Sequence, residues 1–348
     1  MSGMPLSTSA TMPVTESEPA AVSLDTASAR EIAEYLDARC PVTYVWNYAS
    51  SRADLRALYE KAKQEQWDGR TYLKWDTQVD PQAENFPDQQ IPIYGTRLWN
   101  KLAPRDIALL RQHQMSWTLS QFLHGEQGAL LATAQIVTTV PIFDAKFYAA
   151  TQVMDEARHV EVYERYLREK VELTYPINEH LRRLLDAILS DPRWDMKYLG
   201  MQILVEGLAM AAFKFLHTFS REPLVKELTH NVMRDEARHV AFGVMSLKDF
   251  YLTQLNEKER REREEFTYES CRLMRDRFLA QEVWESMQMP VAECLELAMH
   301  SPAMIEFRRL LFMRIVPNIK RLGLLSPWLR ERFTELGILQ FEDMPADA

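Results

Sequence analysis

Two identical hexapeptides, DEARHV, occur at residues 155–160 and 235–240. Each copy contains a glutamate and a histidine three positions apart, and side chains with this spacing lie on the same face of a helix. A further glutamate lies in an apolar stretch 30 residues before each of these glutamates. The six residues that repeat with a period of 80 are Glu126, Glu156, His159, Glu206, Glu236 and His239. Carboxylates and imidazoles together suit iron or manganese, so we interpret the repeat as a metal-binding pattern.

The helices that must carry these residues form two predicted hairpins. Each lone glutamate and its Glu-x-x-His motif lie at similar distances from the turn between them, roughly 20–23 Å at ~1.5 Å per residue. Two such hairpins packed together would bring four carboxylates and two imidazoles to one level of a bundle. Four buried carboxylates repel one another unless their pKa values rise or cations lie among them. Two divalent or trivalent cations would supply that charge, and the lack of thiolate ligands argues against structural zinc. The alternative, a charged helix face with chance Glu-x-x-His pairs, does not explain the shared period.

The DE-x-RH sequence in both hairpins resembles that of the ferritin-like di-iron carboxylate superfamily. It is similar to the hydroxylase subunits of bacterial multicomponent monooxygenases, to ribonucleotide reductase small subunits and to related ligand-binding oxidases. The resemblance covers roughly residues 105–250, and such bundles carry glutamates on two helices and Glu-x-x-His on two others. It implies a cofactor of two iron ions, or of manganese and iron, with O2 as co-substrate. The first three repeated residues would bind one metal and the last three the other, with one or two carboxylates bridging, and all six would be catalytic.

The other charged residues of the hexapeptides have predicted supporting roles. The resemblance implies that Asp155 and Asp235 accept hydrogen bonds from the ligand imidazoles, which fixes the tautomer and basicity of the histidines. Arg158 and Arg238 would then neutralise these aspartates. Ion pairing on the protein surface is the alternative interpretation for all four residues.

Tyr163 lies four residues after His159, which is the offset of the radical tyrosine in ribonucleotide reductase small subunits. The alternative is a core tyrosine beside a polar site. Those reductases usually have aspartate where this chain has Glu126. The multicomponent monooxygenases typically have threonine where this chain has Met210, four residues after Glu206. The resemblance therefore indicates the superfamily more specifically than the reaction.

Apolar residues one helical turn from the candidate ligands predict a pocket beside the metals. They are Phe122, Leu130, Ala209, Met210, Phe213, Val240 and Gly243. An apolar cavity there would suit a hydrophobic organic substrate. Ordinary core packing is the alternative for each of these residues.

The apolar periodicity predicts an all-α protein with a ferritin-like four-helix bundle core and additional N- and C-terminal helices. Long helices are expected over about 104–138, 141–174, 196–218 and 223–255, and shorter ones over about 29–38, 53–66 and 178–189. The expected organisation is a disordered tail at 1–28, N-terminal helices and an irregular Trp- and Pro-rich segment at 29–104, the bundle core at 105–255, C-terminal helices at 256–340 and a loose tail at 341–348.

Composition limits the classes of partner. The net charge of −9 gives no reason to expect binding to nucleic acid or anionic membranes. No apolar run reaches the ~18 residues that a membrane span needs, and the N-terminus lacks a signal-peptide pattern. Cys40, Cys271 and Cys294 are widely spaced and are interpreted as free thiols, which favours a cytoplasmic location.

These observations predict an O2-activating non-haem di-iron oxidase or monooxygenase acting on a hydrophobic or aromatic organic substrate. Hydroxylation, N-oxygenation and desaturation all remain open. The chain has no GxGxxG fingerprint and no iron–sulfur cysteine set, so a separate reductase or ferredoxin is expected to supply electrons. The alternatives are a radical-generating reductase-like subunit using Tyr163, ferritin-type iron storage or peroxide scavenging, and a metal-free helical module. The resemblance also favours a homodimer.

Overall fold

The computed structural model describes residues 35–345, and every regular element among them is helical. The all-α prediction is therefore confirmed. The predicted disordered tail, residues 1–28, lies outside the described residues. The helix expected over about 29–38 is not formed at 35–38, where Tyr35 is 90% exposed. The rest of this expected helix, residues 29–34, lies outside the described residues.

Two helical hairpins form the core of the protein. In the first, α2 (Pro104–Thr139) and α3 (Phe143–Tyr166) pack along each other, and in the second α6 (Glu206–Phe219) packs on α7 (Pro223–Thr253). Prolines occupy the first turn of α2 and of α7, where no intrahelical N–H partner is needed. These bounds agree with the hairpins predicted from the sequence.

The helix that leads into the second hairpin changes its hydrogen-bonding pattern before Glu206. After α5 (Trp194–Tyr198), residues Leu199–Val205 form a π-helical segment, and α6 continues the same helix. π-helical turns inside α-helices are frequent at functional sites because they shift the register of the residues that follow. The sequence predicted one unbroken α-helix here, because apolar periodicity does not distinguish the two hydrogen-bonding patterns.

The continuous helix Trp194–Phe219 is long and apolar enough in composition to cross a membrane. However, 72% of its most apolar window is buried within the protein. Its apolar character is accounted for by a position in the centre of the bundle, where it carries Glu206.

Helix α3 ends earlier than expected. A π-helical turn, Leu167–Val171, follows it, and Glu172 then adopts a left-handed conformation with φ of 55°. The chain leaves the helix there rather than at about residue 174, because a left-handed residue ends the helical hydrogen bonding.

Further helices surround the core. Before it lie α1 (Ala53–Gln64) and an irregular segment in which Trp67 and Trp75 are buried. The others are α4 (Glu179–Ser190), α8 (Glu257–Asp276), α9 (Gln281–Ser286), α10 (Val291–His300), α11 (Pro302–Leu310), α12 (Ile315–Arg321) and α13 (Pro327–Glu335). The charged start of α8 carries a capping box between Asn256 and Glu259.

The end of the chain is anchored as far as the structure describes it. Phe341 is buried, Glu342 pairs with Arg330, and Asp343 pairs with Lys320. The loose tail expected from residue 341 therefore differs from the structure up to residue 345, because an aromatic anchor and two ion pairs hold this segment.

Gly243 lies where α7 packs closely on the π-helical segment. A Cβ atom at this position would lie 2.6 Å from Cβ of Gln202. That neighbouring atom is fixed to its own backbone and cannot rotate away.

We expect Gly243→Ala to lower the free energy of unfolding by about 1–3 kcal/mol through overpacking. Gly125→Ala is the matched control, since nothing lies within 4 Å of its added Cβ. This control is expected to be stabilising by about 0.4–1 kcal/mol. Urea unfolding at equal iron content measures both changes. Equal stability of the two variants would show that the helix contact is not tight.

Candidate metal centre

The six repeated residues lie together in the centre of the bundle. Glu126 comes from α2, Glu156 and His159 from α3, Glu206 from the start of α6, and the last two from α7. All six are buried, with Glu126 the most exposed at 5%. The predicted hairpin geometry thus brings every one of the candidate ligands to the same level.

One half of the cluster surrounds the imidazole of His159. Its Nδ1 atom lies 3.2 Å from Oε2 of Glu126, 3.4 Å from Oε2 of Glu156 and 3.2 Å from Oε1 of Glu236. Ligand atoms of these four residues lie within 4.8 Å of one another. Such a set is compact enough to hold one cation.

The other half surrounds His239. Its Nδ1 atom lies 3.1 Å from Oε1 of Glu156 and 3.4 Å from Oε2 of Glu236. Glu156, Glu206 and His239 form a second set of ligand atoms within 4.8 Å. The two imidazole rings are 6.0 Å apart between centroids, which leaves room for two separate metal positions.

Glu156 and Glu236 each reach both halves of the cluster. One oxygen of each carboxylate faces His159 and the other faces His239. Glu126 and Glu206 each belong to one half only. The geometry thus refines the expected division by hairpin, because the two spanning carboxylates come from different hairpins and are placed to bridge.

The electrostatics of the cluster fit a pair of cations. Several buried ligand atoms have no hydrogen-bond partner among the described residues: Glu156 Oε2, Glu206 Oε2, both Glu236 oxygens and His239 Nδ1. Burial and the negative charge of Glu236 raise the pKa values of Glu126 and Glu206 well above their usual range. Protons or metal ions must therefore offset the charge, and two metal ions would also coordinate the unpaired oxygen and nitrogen atoms.

Gln152 is a buried residue of the site that the sequence analysis missed. Its Nε2 atom donates to Oε1 of Glu156 and to Oε1 of Glu206, both at 2.9 Å. It lies four residues before Glu156, which was an available signal. The corresponding residue of the second copy is Val232, so the two halves of the site differ here.

The aspartates of the two hexapeptides cross between the hairpins. His159 Nε2 lies 3.2 Å from Oδ2 of Asp235, and His239 Nε2 lies 3.3 Å from Oδ2 of Asp155. With the proton on Nε2, each histidine donates to the aspartate of the other copy and turns its Nδ1 lone pair toward the glutamates. Burial opposes ionisation of Asp235, but the hydrogen bond from His159 and the charge of Arg238 hold its pKa below the usual value.

Arg158 and Arg238 are both buried and join the two aspartates. Arg158 donates to Asp235 at 2.9 Å and also binds Asp155, while Arg238 donates to Asp235 at 2.6 Å and lies 3.3 Å from Asp155. The structure thus places all four charges in one buried network, not on the surface.

The segment that follows α1 completes this network. Trp67 donates to Oδ2 of Asp235 at 2.8 Å, and its ring lies 4.9 Å from the guanidinium carbon of Arg158. Gln66 donates to Asp155 at 2.8 Å and accepts from Arg158 at 2.7 Å. Neither residue was predicted from the sequence, because no periodic pattern connects this segment to the distant hexapeptides.

Tyr163 is fully buried beside Phe122 and Phe213, with ring centroids 5.9 and 6.1 Å away. Burial and the negative charge of Glu126 raise the pKa of this tyrosine well above its usual value. Its position is compatible with either of the two interpretations made from the sequence.

A small cavity adjoins the cluster. Its walls are formed by Gln121, Phe122, Gly125, Glu126, Ala129, Val205, Glu206, Leu208, Ala209, Phe213, Glu236 and Arg277. Phe122, Ala209 and Phe213 were predicted here. The other predicted residues are not part of these walls: Leu130 is half-buried elsewhere on α2, Met210 and Val240 are buried in packing, and Gly243 contacts Gln202. A residue one helical turn from a candidate metal ligand can face either the cavity or the packed core, and the sequence spacing does not distinguish the two.

A model of the p-aminobenzoate N-oxygenase AurF family matches residues 49–323 of the chain. The chain belongs to the AurF family. It is thus a di-iron oxygenase of the ferritin-like superfamily, and the predicted superfamily, enzyme class and iron cofactor are confirmed. All six candidate ligands lie within the matched residues of this AurF-family protein.

Solved structures similar to this AurF-family chain include R2-like ligand-binding oxidases. One with an aerobically reconstituted Mn/Fe cofactor is 16% identical, covers 84% of this chain and 93% of its own, and has a TM-score of 0.43. A variant with an anaerobically reconstituted Mn/Fe cofactor is 16% identical, covers 77% and 93%, and has a TM-score of 0.48. No curated protein matches the chain.

Because two of the four glutamates contact both halves of the cluster and two contact only one half, their substitution should remove different amounts of metal. Glu206→Gln should leave about one iron per chain, because only one half of the cluster loses a ligand. Glu156→Gln should leave almost none, because both halves lose one. Elemental analysis of iron-supplied protein measures the content.

Glu164→Gln is the matched control, since this exposed carboxylate lies on the same helix as Glu156 and pairs with Arg168. It should keep the full iron content. Equal iron in Glu156→Gln and Glu206→Gln would contradict the bridging geometry.

Proposed function

We propose that this protein transfers one oxygen atom from O2 to the amino nitrogen of a small aromatic amine. The observation that carries the proposal is the cavity whose walls include Glu126, Glu206 and Glu236. A substrate in that cavity would lie beside the metals. The family is named for N-oxygenation of p-aminobenzoate, which favours nitrogen as the position of oxidation over hydroxylation and desaturation at carbon.

The proposed reaction converts an amine to a hydroxylamine. One atom of O2 forms the new N–O bond, and the other leaves as water after two electrons and two protons are taken up. The iron pair, when bound, supplies the reduction of O2. The role of the chain is to hold the cofactor and to orient and enclose the substrate.

The proposed ligands are Glu126, Glu156, His159, Glu206, Glu236 and His239, on the support of their shared position and their unpaired atoms. Asp155 and Asp235 accept from the imidazole Nε2 atoms, which leaves each Nδ1 lone pair directed at the carboxylate cluster. Phe122 and Phe213 form apolar walls that exclude water from the reacting atoms. Together these residues separate cofactor binding from substrate enclosure.

We further propose that a separate reductase or ferredoxin supplies the electrons. The three cysteines cannot hold an iron–sulfur cluster, and the sequence has no dinucleotide fingerprint. All three cysteines are free thiols, and Cys271 and Cys294 are buried. This supports the expectation of a reducing, cytoplasmic location, while the expected homodimer stays a prediction.

The family match favours oxygenation over the two alternatives of radical generation at Tyr163 and iron storage. Whether manganese replaces one iron is decided by the same elemental analysis that counts the metals.

We expect the iron-loaded, chemically reduced protein to convert 4-aminobenzoate to its hydroxylamine in a single turnover with isotopically labelled O2. Mass spectrometry should find one labelled oxygen atom in the product. In Glu156→Gln the yield should fall by about 100-fold or more, because the cofactor is not held.

The exposed-residue variant Glu164→Gln should retain the yield of the unchanged protein. Label arriving from water, or oxygen appearing only on ring carbon, would exclude amine oxygenation by O2.

A further inference from the structure

Arg277 is a buried cation in the cavity beside the candidate metal centre. It begins the 3₁₀ turn Arg277–Leu279 that follows α8, and 5% of its surface is exposed. It shares the cavity walls with Glu126, Glu206 and Glu236. Arg277 could not be predicted from the sequence, because nothing in its local pattern relates it to the hexapeptides.

No hydrogen-bond or ion-pair partner for the Arg277 side chain occurs among the described residues, and its buried Nε atom is unsatisfied. The ring centroid of Phe278 lies 5.0 Å from its guanidinium carbon. Burial lowers the pKa of Arg277 to about 10, and no acidic neighbour raises it. The guanidinium therefore remains charged at neutral pH without a counter-charge.

Every other buried arginine in the described part of the chain has at least one hydrogen-bond or ion-pair partner. Arg263 binds Asp195 at 3.0 Å, and Arg308 donates to the carbonyl oxygens of Ala298 and Met299. Arg158 and Arg238 belong to the aspartate network already described. A buried charge without a partner is costly, so Arg277 alone calls for a partner that the described residues do not supply.

When the charges around the cavity are added up, only that of Arg277 has no counter-charge. Two divalent cations would cancel the charges of the four ligand glutamates. The two arginines of the hexapeptides cancel those of the two aspartates. With the cofactor bound, the cavity therefore has one uncompensated positive charge, and it would attract an anion.

The rest of the cavity selects for an apolar body attached to that anion. Phe122, Ala129, Leu208 and Phe213 form apolar walls of the cavity that Arg277 also lines. Phe122 also lines a larger neighbouring cavity of about 140 Å³, where Phe278 forms part of the wall. A free inorganic anion would leave these surfaces without contacts.

We propose that Arg277 binds the carboxylate of the substrate and makes the enzyme selective for small aromatic carboxylates over their neutral analogues. A para-amino carboxylate held in this way would present its amino group at the opposite end, on the side of the glutamates. The inference rests on the proposed function for the choice of an aromatic amine, but the anion site itself is independent of the reaction.

Benzoate and benzamide test the site by equilibrium binding, because neither has an amino group to oxidise. Calorimetric titration of iron-loaded protein without O2 should find benzoate about 10- to 100-fold tighter than benzamide. Arg277→Gln should remove this preference, and Arg277→Lys should keep part of it. Equal binding of both probes to the unchanged protein, or no binding of benzoate, would overturn the inference.

Arg308→Gln is the matched control, since it removes a buried arginine that has protein partners. It should lower the melting temperature and leave the benzoate preference intact. Arg277→Gln should melt at or above the temperature of the unchanged protein, because it removes an unpaired charge. A preference for benzoate that survives in folded Arg277→Gln would place the carboxylate elsewhere, for example on the metals.

The outcomes separate this inference from the proposed function. Arg277-dependent benzoate binding without oxygenation of any aromatic amine would reject the proposed reaction and retain the anion site. Oxygenation of 4-aminobenzoate and 4-aminobenzamide at equal kcat/KM, unchanged in Arg277→Gln, would support the proposed reaction and reject the anion site.

Discussion

The mutual repulsion of four buried glutamates is the constraint on which this structure depends. Glu126, Glu156, Glu206 and Glu236 are each at least 95% buried, and ligand oxygens from different helices lie within 4.8 Å. Carboxylates held so close in a low-dielectric interior separate, bind protons or bind cations. Because helices in two hairpins hold them in place, separation is excluded. Folding therefore holds the four carboxylates at distances that are unfavourable without cations, and metal binding relieves this repulsion.

A buried ionic network holds these positions. Because Asp155 serves His239 and Asp235 serves His159, each hairpin orients the imidazole of the other. Arg158 and Arg238 bind both aspartates and so link α3 to α7. Gln66 and Trp67, which follow α1, add further hydrogen bonds to this network, and each added partner lowers the cost of burying its charges. The segment that follows α1 is thereby part of the site.

The hairpins and the six candidate ligands could be predicted because they follow from regular geometry. A fixed rise per residue converts a period of 80 residues into a shared level, whatever the surrounding sequence. Gln66, Trp67 and Arg277 could not be found in this way, because irregular segments bring them to the site and their positions depend on tertiary packing. Gln152 lies within a regular helix, but the corresponding position of the second copy is Val232, so the 80-residue repeat does not include it.

Arg277 differs from the hexapeptide arginines because it is buried without a counter-charge. Arg158 and Arg238 are buried together with the charges they neutralise, so the folded protein already contains their partners. Arg277 is buried to a similar degree with none among the described residues. A residue that lowers stability and makes no compensating interaction in the folded protein is typical of a functional site. A carboxylate ligand would offset the cost of the buried charge only while it is bound. The same unpaired charge that weakens the empty protein would then strengthen its complex with an anionic substrate.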